Sequence, residues 1–213
     1  MTVNNLNQVV ILIDADFLFK KVQENYEFYR DLYPSKTFQD LNMANLIDMI
    51  AKNGRVCEKG HKVDVIFHFD LCNNLHQPDT LLEYTNFTNN DYICETDTAN
   101  FYIRSYFSDP SYNRASCSDE EYEFHYMDNF SYIFNRVAQT ESVTQIILVA
   151  DNALLNESIN NCLRTTDKLL FIERDNSFET TLMLDYTYAG STLFFIDINY
   201  VIAFALGLNE SEI

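Results

Sequence analysis

Length, composition and charge narrow the classes of protein that this chain can belong to. Its 213 residues fit one domain, and a hydrophobic share of 47% is enough for a core and argues against disorder. The 4 glycines form no GxGxxG or GxxxxGK[ST] motif, which excludes the usual phosphate-binding loops. The net charge of −18 repels phosphate backbones, so nucleic-acid binding would need divalent cations or a local basic patch. Binding to a basic protein partner, or a need for solubility, would explain the charge directly.

Strand and helix signals alternate along the chain, as in "VVILID" followed by "FLFKKVQENYEFYRDLY". The predicted strands are residues 9–13, 63–69, 101–107, 144–151, 168–174 and 191–197. The predicted helices are residues 17–33, 38–54, 127–139, 152–165 and 198–208. Between them we expect a short helix over residues 78–86 followed by a polar stretch, a polar loop over residues 108–123, and an ambiguous segment over residues 178–189.

This alternation predicts a single domain over residues 1–213, built as a three-layer α/β sandwich with a mainly parallel, Rossmann-like central sheet. In such a sheet, ligands bind at the carboxyl ends of the strands.

Cysteine usage and the N-terminus indicate the compartment. The 5 cysteines are odd in number and show no CxxC spacing, which is typical of free thiols in a reducing environment. The segment "MTVNNLNQ" has neither the basic nor the apolar region of a signal peptide, and no apolar run reaches the roughly 20 residues of a membrane helix. We expect a cytoplasmic protein that does not contact a membrane.

Aspartate ends four of the apolar strands, at Asp14, Asp70, Asp151 and Asp197. A single aspartate in this position is commonly a helix N-cap. In a parallel sheet, however, all four strand ends point to one edge, where carboxylates repel each other unless a cation is present. Ligands that are all oxygen favour Mg²⁺ or Mn²⁺ over zinc. Asp197 is the weakest of these candidates, because we expect it on an outer strand.

Several of these segments together resemble the NYN subgroup of PIN-like ribonucleases, which cleave RNA with metal ions held by aspartates. The segments are "VVILIDADFLF", "VDVIFHFD", "FHYMDNFSYIFNRVAQ", "VTQIILVADNALLNESI" and "LFFIDINYVIAFALGL". The resemblance implies that Asp14, Asp128 and Asp151 are catalytic and bind Mg²⁺ or Mn²⁺, with Asp16 or Asp70 as a further ligand. The metal would lower the pKa of a bound water and stabilise the charge that develops on the scissile phosphate.

The expected substrate is single-stranded RNA. Four basic residues are candidates for phosphate contact, although a solvated surface charge is the simpler explanation of each of them. They are Lys20, Lys21, Arg104 and Arg114. Tyrosines close to the polar loop could stack on unpaired bases.

Two alternatives remain open. Phe17 stands where the family usually has Asn after the first Asp. Ala153 and Leu155 stand at the two positions where the family usually has a further Asp after the fourth strand. A member that has lost catalysis and binds a basic protein partner through its acidic surface would fit these departures. A haloacid-dehalogenase-type phosphatase would use Asp14 as nucleophile and Asp16 as acid and base, but it calls for small, hydroxylated residues where this chain has Phe17 and Leu18.

Overall fold

The computed structural model describes residues 8–38, 41, 43–56, 62–69, 92–95, 99–107, 118–174 and 192–213. These residues form seven strands and five helices. The strands are β1 (Gln8–Asp14), β2 (Lys62–Phe69), β3 (Tyr92–Glu95), β4 (Asn100–Phe107), β5 (Val143–Val149), β6 (Leu169–Glu173) and β7 (Thr192–Ile196). The helices are α1 (Ala15–Leu32), α2 (Met43–Asn53), α3 (Asp119–Gln139), α4 (Asn156–Thr165) and α5 (Ile198–Ala205).

One sheet contains all the described strands, in the order β3-β4-β2-β1-β5-β6-β7. Strand β3 pairs antiparallel with β4, and every other neighbouring pair is parallel. From β1 the parallel strands run outward through β2 to β4, and the chain then returns to the other side of β1 and runs outward through β5 and β6 to β7. This doubly wound order confirms the predicted α/β sandwich with a mainly parallel sheet.

The central strand β1 explains the layering. Val9, Ile11 and Ile13 belong to one apolar cluster, while Val10 and Leu12 belong to another, because successive side chains of a strand point to opposite faces. A strand buried on both faces therefore appears in the sequence as an unbroken apolar run. Helices α1, α2 and α5 contribute to the first cluster, and α3 and α4 contribute to the second. None of the described helices is both long enough and apolar enough to cross a membrane.

Helix α3 begins at Asp119, so the loop predicted over residues 108–123 is wrong for its last part. Ser118 and Glu121 form a capping box, in which the Ser118 hydroxyl accepts from the Glu121 backbone N–H and the Glu121 carboxylate accepts from the Ser118 N–H at 3.0 Å. These reciprocal hydrogen bonds start a helix within a very polar stretch. Burial of Tyr122 and Tyr126 in the first turns fixes this part of the helix against the rest of the protein.

Other boundaries also differ from the predictions. Strand β3 lies within the stretch expected to be polar and irregular, where pairing with β4 supplies the backbone hydrogen bonds. Helix α4 begins at Asn156, because residues 152–155 form a turn first. The helix predicted over residues 78–86 and the segment 178–189 lie outside the described residues.

Candidate functional site

The topological switch point of the sheet lies between β1 and β5. The two strands are paired in parallel, and the chain extends away from them in opposite directions. Asp14 is the last residue of β1, and Asp151 follows β5 after one intervening residue. Ligands of doubly wound proteins bind in the crevice outside the strand ends at such a point. The fold thus brings two of the predicted site residues to the ends of neighbouring strands.

The side chain of Asp14 is buried, with only 4% of its surface exposed. It caps helix α1 by accepting a hydrogen bond from the Phe17 backbone N–H at 3.2 Å. It also accepts a hydrogen bond from the Tyr126 hydroxyl at 2.8 Å, and this hydroxyl donates as well to the backbone oxygen of His68 at 3.1 Å. The ring of Tyr126 lies 4.5 Å from the ring of His68, which stands opposite Asp14 in the β1–β2 register. Tyr126 therefore connects α3 to the ends of β1 and β2.

Burial raises the pKa of Asp14 from 3.8 to about 7, although the hydrogen bonds from Tyr126 and Phe17 oppose this rise and the neighbouring charge of Asp16 adds to it. The pKa of Tyr126 is raised well above its usual value by burial and by the charge of Asp14. Asp14 thus changes protonation state near neutral pH. Carboxyl groups with strongly raised pKa values are enriched at functional sites. Capping a helix does not by itself require a raised pKa.

Asp16 and Asp151 lie at the same edge of the sheet. Asp16 is in the first turn of α1, partly exposed, and close enough to Asp14 for its charge to raise the Asp14 pKa. Asp151 is partly exposed and accepts a hydrogen bond from the Ala153 backbone N–H at 3.0 Å, which shapes the turn before α4. The Asp151 carboxylate therefore has a local structural role, and both residues are partly exposed.

Asp128 is the second of the three aspartates that the resemblance implies are catalytic. It lies on α3 two residues after Tyr126, which is about 200° around the helix, so the two side chains project to different sides. Asp128 is exposed and lines a groove of about 420 Å³ between α3 and the start of α4, together with Glu157. Asp14 is not among the described residues that line this groove.

Within the part of the chain that the structure describes, no three Asp, Glu, His or Cys side chains are placed to hold one metal ion. Asp14 and Asp16 nevertheless provide two neighbouring carboxylates. Mg²⁺ is commonly bound through one or two carboxylates, with waters and substrate phosphates completing its coordination. The described donors fit an ion of that kind and do not form an enclosed site made of protein ligands alone.

The remaining predicted site residues are dispersed. Lys20 is exposed on α1, and Lys21 on the same helix pairs with Glu24 at 3.8 Å. Arg104 is exposed on β4, which β2 separates from β1. Asp70 and Arg114 lie outside the described residues.

Sequence reasoning missed three residues that lie beside Asp14 or Asp151: Tyr126, His68 and Asn152. Tyr126 falls between the loop predicted over residues 108–123 and the helix predicted from residue 127, although the S-x-x-E capping box of "SDEE" could have placed it on a helix. His68 is a buried histidine in an apolar strand and carries no distinguishing sequence signal. Asn152 follows Asp151 and is 3% exposed; its amide group donates to the backbone oxygen of Glu173 at 2.7 Å, while its Oδ1 has no hydrogen-bond partner among the described residues.

The fold and the site together define a doubly wound α/β protein with aspartates at the ends of the strands that flank the switch point of its sheet. The chain belongs to DUF6621, a family of unknown function whose model matches residues 3–213. No curated protein and no solved structure matches it.

Proposed function

We propose that this protein is a Mg²⁺- or Mn²⁺-dependent hydrolase of phosphodiester bonds in RNA, with its site at the carboxyl ends of β1 and β5. The observation that carries the proposal is the buried carboxyl group of Asp14, which lies at the switch point beside Asp16 and has a pKa of about 7. Burying Asp14 as a charged carboxylate destabilises the folded state. Groups that destabilise the fold in this way are often found at functional sites.

Asp14 and Asp16 would hold the ion, with Asp151 as a further oxygen ligand from across the switch point. The bound ion would supply an activated water and stabilise negative charge on the phosphate. Tyr126 and the Phe17 backbone N–H orient Asp14 through their hydrogen bonds to its Oδ1.

RNA as the substrate follows from the resemblance to NYN-type PIN-like ribonucleases, and single-stranded RNA is the form that such a crevice could admit. Lys20 and Lys21 lie on the helix that Asp14 caps, so they are the described basic residues best placed for phosphate contact. The buried thiol of Cys162 forms no disulfide with another described residue, which suits the cytoplasm as the proposed location.

The experiment is cleavage of a labelled single-stranded RNA by the purified protein in Mn²⁺ or Mg²⁺, with EDTA as the metal-free control. We expect Asp14→Asn to lower the rate at least about a hundredfold, because an amide is a poor ligand for a hard cation. The matched control is Asp197→Asn, which changes another strand-end aspartate that caps the following helix. Asp197→Asn should leave the rate unchanged.

Equal cleavage by the wild type and by the Asp14→Asn, Asp151→Asn double variant would reject the proposal, and so would cleavage that persists in EDTA. A chromogenic phosphate monoester distinguishes the nuclease from a haloacid-dehalogenase-type phosphatase, since only the phosphatase should release phosphate from it.

A further inference from the structure

The groove between α3 and the start of α4 is strongly charged. Four of its lining side chains are acids, Glu120, Glu123, Asp128 and Glu157. None of the described residues that line it is a lysine or an arginine. Four carboxylates facing one cavity repel each other, so a positively charged ligand would relieve an unfavourable interaction already present in the folded chain.

Apolar side chains lie among these acids. Phe124 on α3 is 68% exposed, and Leu154 in the turn before α4 is 53% exposed. Met127 also lines the groove and is partly buried. Large apolar side chains that are this exposed gain free energy when a partner covers them. The surface thus combines apolar anchors with a ring of negative charge, in a groove of about 420 Å³.

We propose that this groove docks a basic amphipathic peptide segment of another protein. The apolar side chains of the segment would pack against Phe124 and Leu154, while its lysines or arginines would face the four carboxylates. RNA does not fit the groove, because its phosphates would meet the same carboxylates. A second copy of this chain does not fit either, because each copy carries a net charge of −18.

Tyr126 donates its hydrogen bond to Asp14 from a different side of α3 than the one on which Asp128 lines the groove. The inference does not depend on hydrolysis, since Asp14 is not among the described groove residues and binding can be measured without RNA or metal.

The test is fluorescence anisotropy of the full chain with a short labelled peptide that alternates arginine with leucine. The groove variant is Glu123→Lys with Asp128→Lys. The matched control is Glu27→Lys with Glu210→Lys, which makes the same change in net charge at exposed acids outside the groove. We expect the groove variant to weaken binding at least about tenfold and the control to weaken it by no more than about twofold, because a distant charge is screened by salt.

A second pair of variants tests the apolar anchors. Phe124→Ala with Leu154→Ala should weaken peptide binding about tenfold, since truncation of exposed anchors removes contact area without changing charge. If the lysine variants fail to give a wild-type circular dichroism spectrum, Glu123→Gln with Asp128→Asn replaces them with a smaller change in charge.

Three outcomes would overturn the inference. One is equal loss of binding in the groove and control variants, which would mean that only net charge matters. Another is the absence of basic-peptide binding to the wild type. The third is binding of single-stranded RNA that depends on the groove carboxylates, which would assign the surface to nucleic acid. A peptide that alternates glutamate with leucine serves as the negative control and should not bind.

Discussion

Two strand ends of the same sheet carry an aspartate in the same local role. Asp14 ends β1 and caps α1 by accepting from the Phe17 backbone N–H at 3.2 Å. Asp197 follows β7 and caps α5 by accepting from the Tyr200 backbone N–H at 3.0 Å. In the sequence the two motifs, "ILIDAD" and "FFIDIN", look alike. Each satisfies a backbone donor that its helix would otherwise leave unpaired.

Their surroundings differ because the strands occupy different places in the sheet. Strand β1 has parallel neighbours on both sides, whereas β7 is the last described strand on its side. Asp14 is buried beneath α3 and accepts a second hydrogen bond from Tyr126, whereas Asp197 is partly exposed. A helix cap explains both residues locally, but only Asp14 is a buried acid at the switch point. The comparison shows that position in the sheet, more than the local motif, decides which aspartate can support chemistry.

The largest expected effect on stability is the pH dependence that Asp14 contributes. Its pKa is raised from 3.8 to about 7 on folding, so the folded state binds the proton more tightly than the unfolded state does. Stability from this group is complete below about pH 4 and is lost as the pH rises through about 7, for a total of about 4 kcal/mol. Asp14→Asn should remove this loss, because an amide keeps the cap without titrating.

Urea denaturation in metal-free buffer, at pH values between about 4 and 8, measures this effect. The difference between the wild type and Asp14→Asn isolates the contribution of Asp14, because the other carboxylates titrate in both proteins. Asp197→Asn is the control. If Asp197→Asn altered the pH profile as strongly as Asp14→Asn, the distinction between the two strand ends would fail.

A second variant sharpens the comparison by removing the contact that only Asp14 has. Tyr126→Phe deletes the hydroxyl that donates to the Asp14 carboxylate and to the His68 backbone oxygen. We expect it to lower the free energy of unfolding by about 1–2 kcal/mol at pH 8, where Asp14 is charged, and to raise the pKa of Asp14 further.

The control for this variant is Tyr132→Phe, which removes an exposed hydroxyl from the same helix and should change stability by less than about 0.5 kcal/mol. Denaturation curves of the two variants at pH 5 and pH 8 compare them directly. Equal effects of the two tyrosine changes would show that the hydrogen bond to Asp14 does not stabilise the strand end.

The smallest expected effect concerns the shared cap. Asp197→Ala removes the acceptor for the Tyr200 backbone N–H and should cost about 1 kcal/mol, while Asp197→Asn should restore most of it because asparagine caps helices as well as aspartate does. Thermal unfolding followed by circular dichroism measures both. A loss from Asp197→Asn as large as that from Asp197→Ala would show that the charge of Asp197, and not its cap, is the stabilising feature.

Much of the fold could be predicted from local patterns. The apolar run of β1 indicated a strand buried on both faces, and the strands and helices that alternate after it indicated a parallel sheet. The beginning of α3 was missed because the polar stretch before it resembles a loop, and its capping box is a short signal within that stretch. Strand β3 was missed because an edge strand depends on its partner for hydrogen bonds and carries little pattern of its own.

The candidate site was only partly predictable. The aspartate after β1 and the aspartate after β5 were recognised because aspartate ends an apolar run in both places. Tyr126 and His68 were not recognised. The hydroxyl of Tyr126 contacts Asp14, which is 112 positions away in the chain, and the backbone oxygen of His68, which is 58 positions away. Asp128 was assigned to the metal by resemblance, whereas its exposed side chain faces the groove beside α4.

The sequence by itself determined that β1 is buried on both faces, and that aspartates stand at the ends of several strands, because periodicity and turn chemistry are local properties of the chain. Only the tertiary structure decided which of those aspartates is buried, which titrates near neutral pH and which faces a groove. Burial and neighbouring charge arise when strands and helices from distant parts of the chain pack together, and the order in which they pack cannot be deduced from any one segment.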